Sequence, residues 1–324
     1  MKRRDLLLVL GASAMGWSRR AYAAEHLIGL LVGLPQTNSS VVDRLDVFRD
    51  MLSRLGWVEG RNIKFEYRFE PDATRLSQRA TELVERGCEL IVAWSTPEVV
   101  AAMAATKTIP IVFFGVADPL RSHIVQSLAR PGGNVTGATN FEPTVGSKWV
   151  DVLHELAPTT TRVAVLTNTE NAAEQGMDAA VKDAAAKKGL AAVTLAAQKP
   201  DNLKSAIEDL GQTPGGGLII IPGIATMGAM KLIIDLAAQL HLPAVYPFRF
   251  FAEAGGLVSY GVDVLELTRR GASHVDQILR GAKPSDIPVE GPTRFELVLN
   301  LKAAKQLGLA VPQTLLVAAD EVIE

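Results

Sequence analysis

Short β-rich runs alternate with helical patterns along almost the whole chain, in two series of similar length. This alternation constrains the fold more than any single motif. Parallel strands must be joined by crossovers of a dozen or more residues, usually helices, so repeated strand–helix–strand units specify a doubly wound parallel sheet. In the first series Ile28–Val32 reads as a strand. The helix after it runs from Ser40 to Leu55, with Val42, Leu45, Phe48, Met51, Leu52 and Leu55 at helical spacing. A strand at Asn62–Phe69, a helix at 73–86, a strand at 89–93, a helix at 97–106 and a strand at 110–114 complete it. The second series follows the turn-rich Arg130–Asn134. It reads as helix 144–156, strand Arg162–Thr167, helix 171–188, strand 191–195, helix 201–210, strand Leu218–Ile221, helix 226–240 and strand 243–246. A further strand and a helix at 263–280 follow Gly255, and Pro284, Pro288 and Pro292 then mark an extended connection. The expected fold class is α/β, with two doubly wound parallel-sheet lobes, several crossover segments and a cleft between them.

The first 23 residues stand apart from this pattern. Lys2-Arg3-Arg4 precedes an apolar run from Leu6 to Trp17, and Ala21-Tyr22-Ala23 closes the segment. A basic head, a short apolar run and a small-x-small exit form a cleaved export signal, with cleavage expected after Ala23. The run falls short of the roughly 20 apolar residues of a spanning helix. Arg3-Arg4-Asp5-Leu6-Leu7 resembles a twin-arginine signal, and Arg19 and Arg20 after the run fit that route. No Cys follows the run, so no lipid anchor is expected. The single Cys88 cannot form an internal disulfide, and packing alone must hold the fold.

Charge excludes further classes. The chain carries 33 basic and 35 acidic side chains; residues 1–23 hold five basic groups and one acidic, leaving 28 against 34 and a net charge of −6. Such a surface offers no footprint for nucleic acid. An exported chain also has no nucleotide pool to use, so the common intracellular roles of doubly wound sheets fall away. The five histidines, His26, His123, His154, His241 and His274, lack metal-ligand spacing, and neither a Gly-x-Ser-x-Gly elbow nor a phosphate loop is present. No enzyme, cofactor or metal is expected.

In open parallel sheets ligands sit beyond the carboxyl ends of the strands. Four junctions qualify. Trp94-Ser95-Thr96-Pro97 ends a strand and opens a helix, where Ser95 and Thr96 would offer hydroxyls and N–H groups to an anion, or form a simple cap. In Gly115-Val116-Ala117-Asp118-Pro119, Asp118 would pair with a ligand amine or cap the next helix. Asn168, within Thr167-Asn168-Thr169, and Gly223 with Thr226, within Pro222–Thr226, would present polar groups from the second lobe or serve as ordinary turns. Asn134-Val135-Thr136 matches a glycosylation sequon but reads as a turn.

Longer motifs carry a resemblance. They are Ser127–Gly137, Phe251–Asp263, Arg269-Arg270 with the helix to Gly281–Pro284, Ile287–Glu290, Phe295–Leu309 and Ala319–Ile323. Together they resemble the ABC-transporter substrate-binding proteins related to tryptophan- and tyrosine-binding proteins, over essentially the whole mature chain. The resemblance implies a type I periplasmic-binding-protein fold with three crossovers, hinge closure on a small-molecule ligand, and delivery to an inner-membrane ABC permease. It implies lobes of residues 24–140 plus 250–288 and of 141–249 plus 289–324. Ser95 and Thr96 would suit a carboxylate, as of an amino acid. Gly115–Pro119 match the family's Gly-Asp-Pro loop, with Ala117 in place of its Gly. Asn168, Thr226 and Tyr246 would close from the other lobe. The expected protein is a periplasmic monomer. The rival readings are an exported sensor presenting its ligand to a membrane receptor, and an enzyme on the same fold.

Overall fold

The computed structural model describes residues 25–141, 144–197, 200–212 and 214–324; the expected export signal and its expected cleavage after Ala23 lie outside them. In the first lobe, strands β1 (His26–Val32), β2 (Ile63–Phe69), β3 (Leu90–Ala93), β4 (Ile111–Val116) and β5 (Val135–Thr139) form one parallel sheet in the order β2-β1-β3-β4-β5. Helices α1 (Ser39–Arg54), α2 (Leu76–Glu85) and α3 (Thr96–Ala105) connect them. In the second lobe the helices are α4 (Val145–Leu156), α5 (Ala172–Lys187), α6 (Pro200–Gly211), α7 (Ile224–Gly228), α8 (Met230–Gln239) and α9 (Arg249–Glu253). Its strands are β6 (Arg162–Thr167), β7 (Ala191–Ala196), β8 (Gly216–Ile220), β9 (Ala244–Tyr246) and β10 (Val258–Val262). Helix α10 (Val264–Leu279) is followed by β11 (Phe295–Asn300), α11 (Leu301–Gln306), α12 (Gln313–Ala318) and β12 (Glu321–Ile323). The second sheet runs β12-β11-β10-β9-β8-β6-β7, parallel except where β11 meets β10. The expected α/β class with two parallel-sheet lobes is what the structure has.

The sequence patterns explain these elements. Asn38 caps α1 by accepting from Ser40 N, and Val41, Leu45, Phe48 and Leu52 form its buried stripe. Strands β3 and β8 are buried on both faces and therefore apolar throughout. Helix α10 packs on α1, β4 and β5, and Trp57 Nε1 donates to Asp276 at 2.8 Å to fix the far end of that pairing.

Three readings need correction. The segment 250–262 belongs to the second lobe, because β10 pairs with β9 and β11 there; only at Asp263 does the chain return to the first lobe. It stays through Glu290, whose N–H and carbonyl pair with Gly137 and Thr139 at the edge of β5, so that crossing falls after 290. Val135 and Thr136, read with Asn134 as a turn, open the fully buried edge strand Val135–Thr139, which this return segment covers. The helix expected at 226–240 is two, α7 and α8, broken after Gly228. Three segments thus cross between lobes: from β5 to α4, from β10 to α10, and from Glu290 to β11. Phe141, on the first crossing, is fully buried among Trp149, Phe248 and Phe295, with ring centroids 5.5, 5.5 and 6.3 Å away.

Candidate ligand-binding site

The carboxyl ends of the strands in both lobes face one another, and a cavity of about 80 Å³ lies between them. The first lobe contributes Gly33 after β1, Arg44 of α1, Trp94 and Ser95 after β3, Glu98 of α3, Phe114 and Gly115 of β4, and Asn140 after β5. Gly223, Ile224 and Met227 follow β8, and Phe248 and Phe250 follow β9. A smaller adjoining hollow of about 30 Å³ adds Thr96, Asn171 and Glu174.

Arg44 dominates the electrostatics. It sits on the buried face of α1, its guanidinium 4.1 Å from the ring centre of Trp94 and 5.3 Å from that of Phe114. Its Nη2 donates to Phe114 O at 3.0 Å, while its Nε has no partner among the described residues. Burial pushes its pKa down to about 10, opposed by the nearby Glu98, so the group stays cationic at neutral pH. Two other buried polar atoms of the lining lack described partners: Trp94 Nε1 and Asn140 Oδ1. Such atoms are uncommon in native interiors and mark places where a ligand or water completes the bonding.

Glu98 is 2 % exposed and held inside the first lobe. Its Oε1 accepts from Gly33 N at 2.8 Å and its Oε2 from the Ser95 hydroxyl. Burial raises its pKa above the usual carboxylate range, against the pull of those hydrogen bonds and of Arg44. Glu174 is its counterpart in the second lobe. It accepts from Asn168 N at 2.7 Å and the Thr167 hydroxyl at 3.3 Å, and burial lifts its pKa to about 7.

Of the residues singled out from sequence, Ser95, Gly115 and Gly223 line the main cavity and Thr96 the smaller one. Ser95 spends its hydroxyl on Glu98, so its free contribution is at the backbone. Gly115 has φ of +153° at a bulge, and a Cβ there would stand 2.6 Å from Trp94 O, which excludes other residues. The remaining residues are not among the cavity walls. Val116 is fully buried in the outer core of the first lobe. Asp118 accepts from Arg121 N at 3.1 Å and thus caps a turn. Asn168 uses its N–H on Glu174 and its Oδ1 on Glu170 N. Thr226 is 1 % exposed and ties the β8–α7 loop by donating to Ile221 O at 2.8 Å. Tyr246 is buried in the second-lobe core with its ring 5.2 Å from that of Phe251, and burial raises its pKa. Asn134, in the sequon, donates to Ile109 O.

Sequence reading passed over Arg44, Glu98, Asn140 and Glu174. A signal for two of them existed. Arg44 interrupts the apolar stripe Val41–Leu45–Phe48, and Glu98 precedes the buried Val99, Ala101 and Ala102 of α3, so both charges lie on faces that must be buried.

A two-lobed α/β chain with a cleft of this kind has counterparts among known proteins. The family model for ABC transporter substrate binding proteins matches residues 37–323. The chain belongs to that family. Its role is therefore of the binding class rather than catalytic. Within the family's reach, a tyrosine-binding protein of Clostridioides difficile is 26% identical over 269 residues, covering 81% of this chain and 75% of that protein. A domain from Streptococcus pneumoniae solved in complex with L-Trp superposes with a TM-score of 0.86 at 24% identity, covering 93% of this chain and all of that one. A conserved domain protein from Vibrio cholerae gives 0.85 at 27% identity, covering 93% and 99%. A ligand-free, open substrate-binding protein from Clostridium difficile gives only 0.66 at 24% identity and the same coverage of this chain. Among the described residues no helix is long and apolar enough to cross a membrane.

Proposed function

We propose that the chain is a periplasmic receptor that binds a small carboxylate-bearing ligand, an amino acid or other small acid, between its lobes and delivers it to an inner-membrane ABC importer. The unpartnered, buried Arg44 Nε carries this reading, together with Trp94 Nε1 and Asn140 Oδ1 in the same cleft. A buried cation without a counter-ion is costly, and a ligand carboxylate relieves that cost. Ser95 and Thr96 add the N-terminal N–H groups of the ten-residue α3, where partial positive charge favours the same anion. The relatives that bind tyrosine and L-Trp support an amino acid or a near analogue.

The ligand contacts both lobes, so it stabilises the closed arrangement over the open one by its differential affinity, and the permease reads the closed form. Residues 1–23 direct export, by the twin-arginine route, and are removed after Ala23. The mature protein works free in the periplasm, as a monomer, since no Cys stands at the end of the apolar run to take a lipid anchor. The cavity of about 80 Å³ is smaller than the roughly 150 Å³ that takes up one benzene ring. A bulky aromatic ligand must therefore part the lobes slightly. A thermal-shift screen of the mature chain against amino acids and small carboxylates tests the reading, because a ligand of the native state raises Tm by mass action. Saturable stabilisation by such an acid is expected; its absence across the panel, or turnover of any compound that binds, overturns the receptor reading.

A further inference from the structure

Two of the three crossings run side by side. In the register of β10 with β11, Val262 stands opposite Phe295, so the chain leaves the second sheet at one and re-enters it at the other. Asp263, next after Val262, accepts from Leu265 N at 2.8 Å and Glu266 N at 3.1 Å and so caps α10 in the first lobe. On the other crossing Glu290 is still paired with the edge of β5, and Arg294 already pairs with Asp320 of the second lobe at 2.6 Å. Gly291, Pro292 and Thr293 lie between.

Arg270 of α10 decides which lobe holds those three residues. Its Nη1 donates to Gly291 O at 3.1 Å and its Nη2 to Thr293 Oγ1 at 2.7 Å. Glu266 and Glu290, each 3.4 Å from the guanidinium, hold it in place. The side chain is 19 % exposed, so water competes little for these bonds. Arg269 beside it differs: among the described residues it pairs with Asp263 and Glu266, at the start of its own helix. Arg270 thus extends the first lobe's hold to Thr293, and the second lobe's hold begins at Arg294. Both crossings change lobe at one link, Val262–Asp263 and Thr293–Arg294. A crevice of about 240 Å³, walled by Asp263, Glu266, Arg270, Thr293, Arg294 and Glu296, leaves these links room to turn.

We propose that Arg270 sets the hinge: it confines lobe rotation to these two links, and through them it governs the population of the closed form and the affinity for ligand. This rests on the reading of the cleft as the ligand site, although Arg270 is not among the cavity walls. Without Arg270, residues 291–293 leave the first lobe, and the hinge lengthens from one link to the stretch 291–294. Each freed residue gains backbone freedom that closure must then remove. Open arrangements gain weight, and apparent affinity falls with the binding-competent fraction. Arg270 is a positioning residue that acts through the backbone of the crossing.

Small-angle X-ray scattering of the ligand-free mature chain tests the proposal, together with calorimetric titration by L-tryptophan, L-tyrosine and 3-phenylpropanoate. Arg270→Gln is expected to enlarge the radius of gyration and to weaken whichever probe binds about tenfold, as the binding-competent fraction falls. Arg270→Lys keeps one donor near the crossing and should recover part of both effects. Thr293→Val removes one accepting oxygen and should move both in the same direction by less; it decides the matter if Arg270→Gln does not fold. Arg269→Gln should change neither. A folded Arg270→Gln chain with the wild-type radius, or with unchanged affinity for a probe that binds, overturns the proposal, as does an Arg269→Gln chain that shifts both as far. Failure of all three probes to bind counts against the receptor reading and leaves the hinge to be decided by the scattering alone.

Discussion

Gly33 and Ile224 meet across the cleft: a Cβ on Gly33 would stand 2.7 Å from Ile224 Cδ1 of the opposite lobe and 2.6 Å from Glu98 Oε1 of its own. The first lobe therefore keeps a bare backbone where the second lobe lands. Gly33→Ala is expected to hinder closure and weaken ligand binding about tenfold, the equivalent of about 1.4 kcal/mol. Ile224→Ala in the same chain should restore part of the affinity, because it frees the space on the other side. Calorimetry on the single and double variants measures the coupling. Affinities that simply add would mean the lobes do not close on this contact.

Glu174 gives the protein a defined pH dependence. Its carboxyl has a pKa near 7 in the folded chain against 4.5 ordinarily, so the folded state binds the extra proton. Stability contributed by the neutral form is fully present below pH 4.5 and is lost as pH rises towards 7, above which the loss is complete. Across that window the cost is of order 3 kcal/mol at most. Glu174→Gln keeps an acceptor for Asn168 N–H and removes the titration. It should raise Tm at pH 8 and flatten the slope between pH 4.5 and 7; an unchanged slope would assign the dependence elsewhere.

Phe141 joins the first crossing to the second lobe. Phe141→Ala opens a void among Trp149, Phe248 and Phe295 and should cost about 3–5 kcal/mol in denaturant unfolding. A loss under about 1 kcal/mol would show that this ring cluster does not anchor the crossing.

The export reading rests on Arg3 and Arg4. Arg3→Lys together with Arg4→Lys should leave unprocessed precursor inside the cell, scored by fractionation and immunoblot. Normal secretion of the double variant would refute the twin-arginine route.

What the sequence disclosed, and what it hid, follows from the range of the forces involved. The stripe Leu45–Phe48–Leu52 and the cap Asn38 are local, and α1 ends within one residue of its expected limits. Strand β5 was hidden because Gly137 and two threonines give it turn-like composition, and its burial comes from residues 287–290, far along the chain. The site was only half legible for the same reason. Strand ends such as Trp94–Ser95 and Pro222–Gly223 follow from βα alternation, and the structure brings them together. Whether a side chain beside them points into the cleft depends on tertiary packing. Tyr246 turns into the core against Phe251, and Arg44, in the middle of a helix, reaches the cavity instead.

The central claim is that a small acid binds between the lobes against Arg44. Titration of the wild-type mature chain and of Gly33→Ile, whose added side chain would occupy the cleft face, tests it most directly, with the best-stabilising acid from the thermal screen as titrant. The account predicts one-to-one binding by the wild type and loss of at least a hundredfold in the variant, with circular dichroism unchanged. Equal affinity in the two proteins would place the ligand outside the cleft and contradict it.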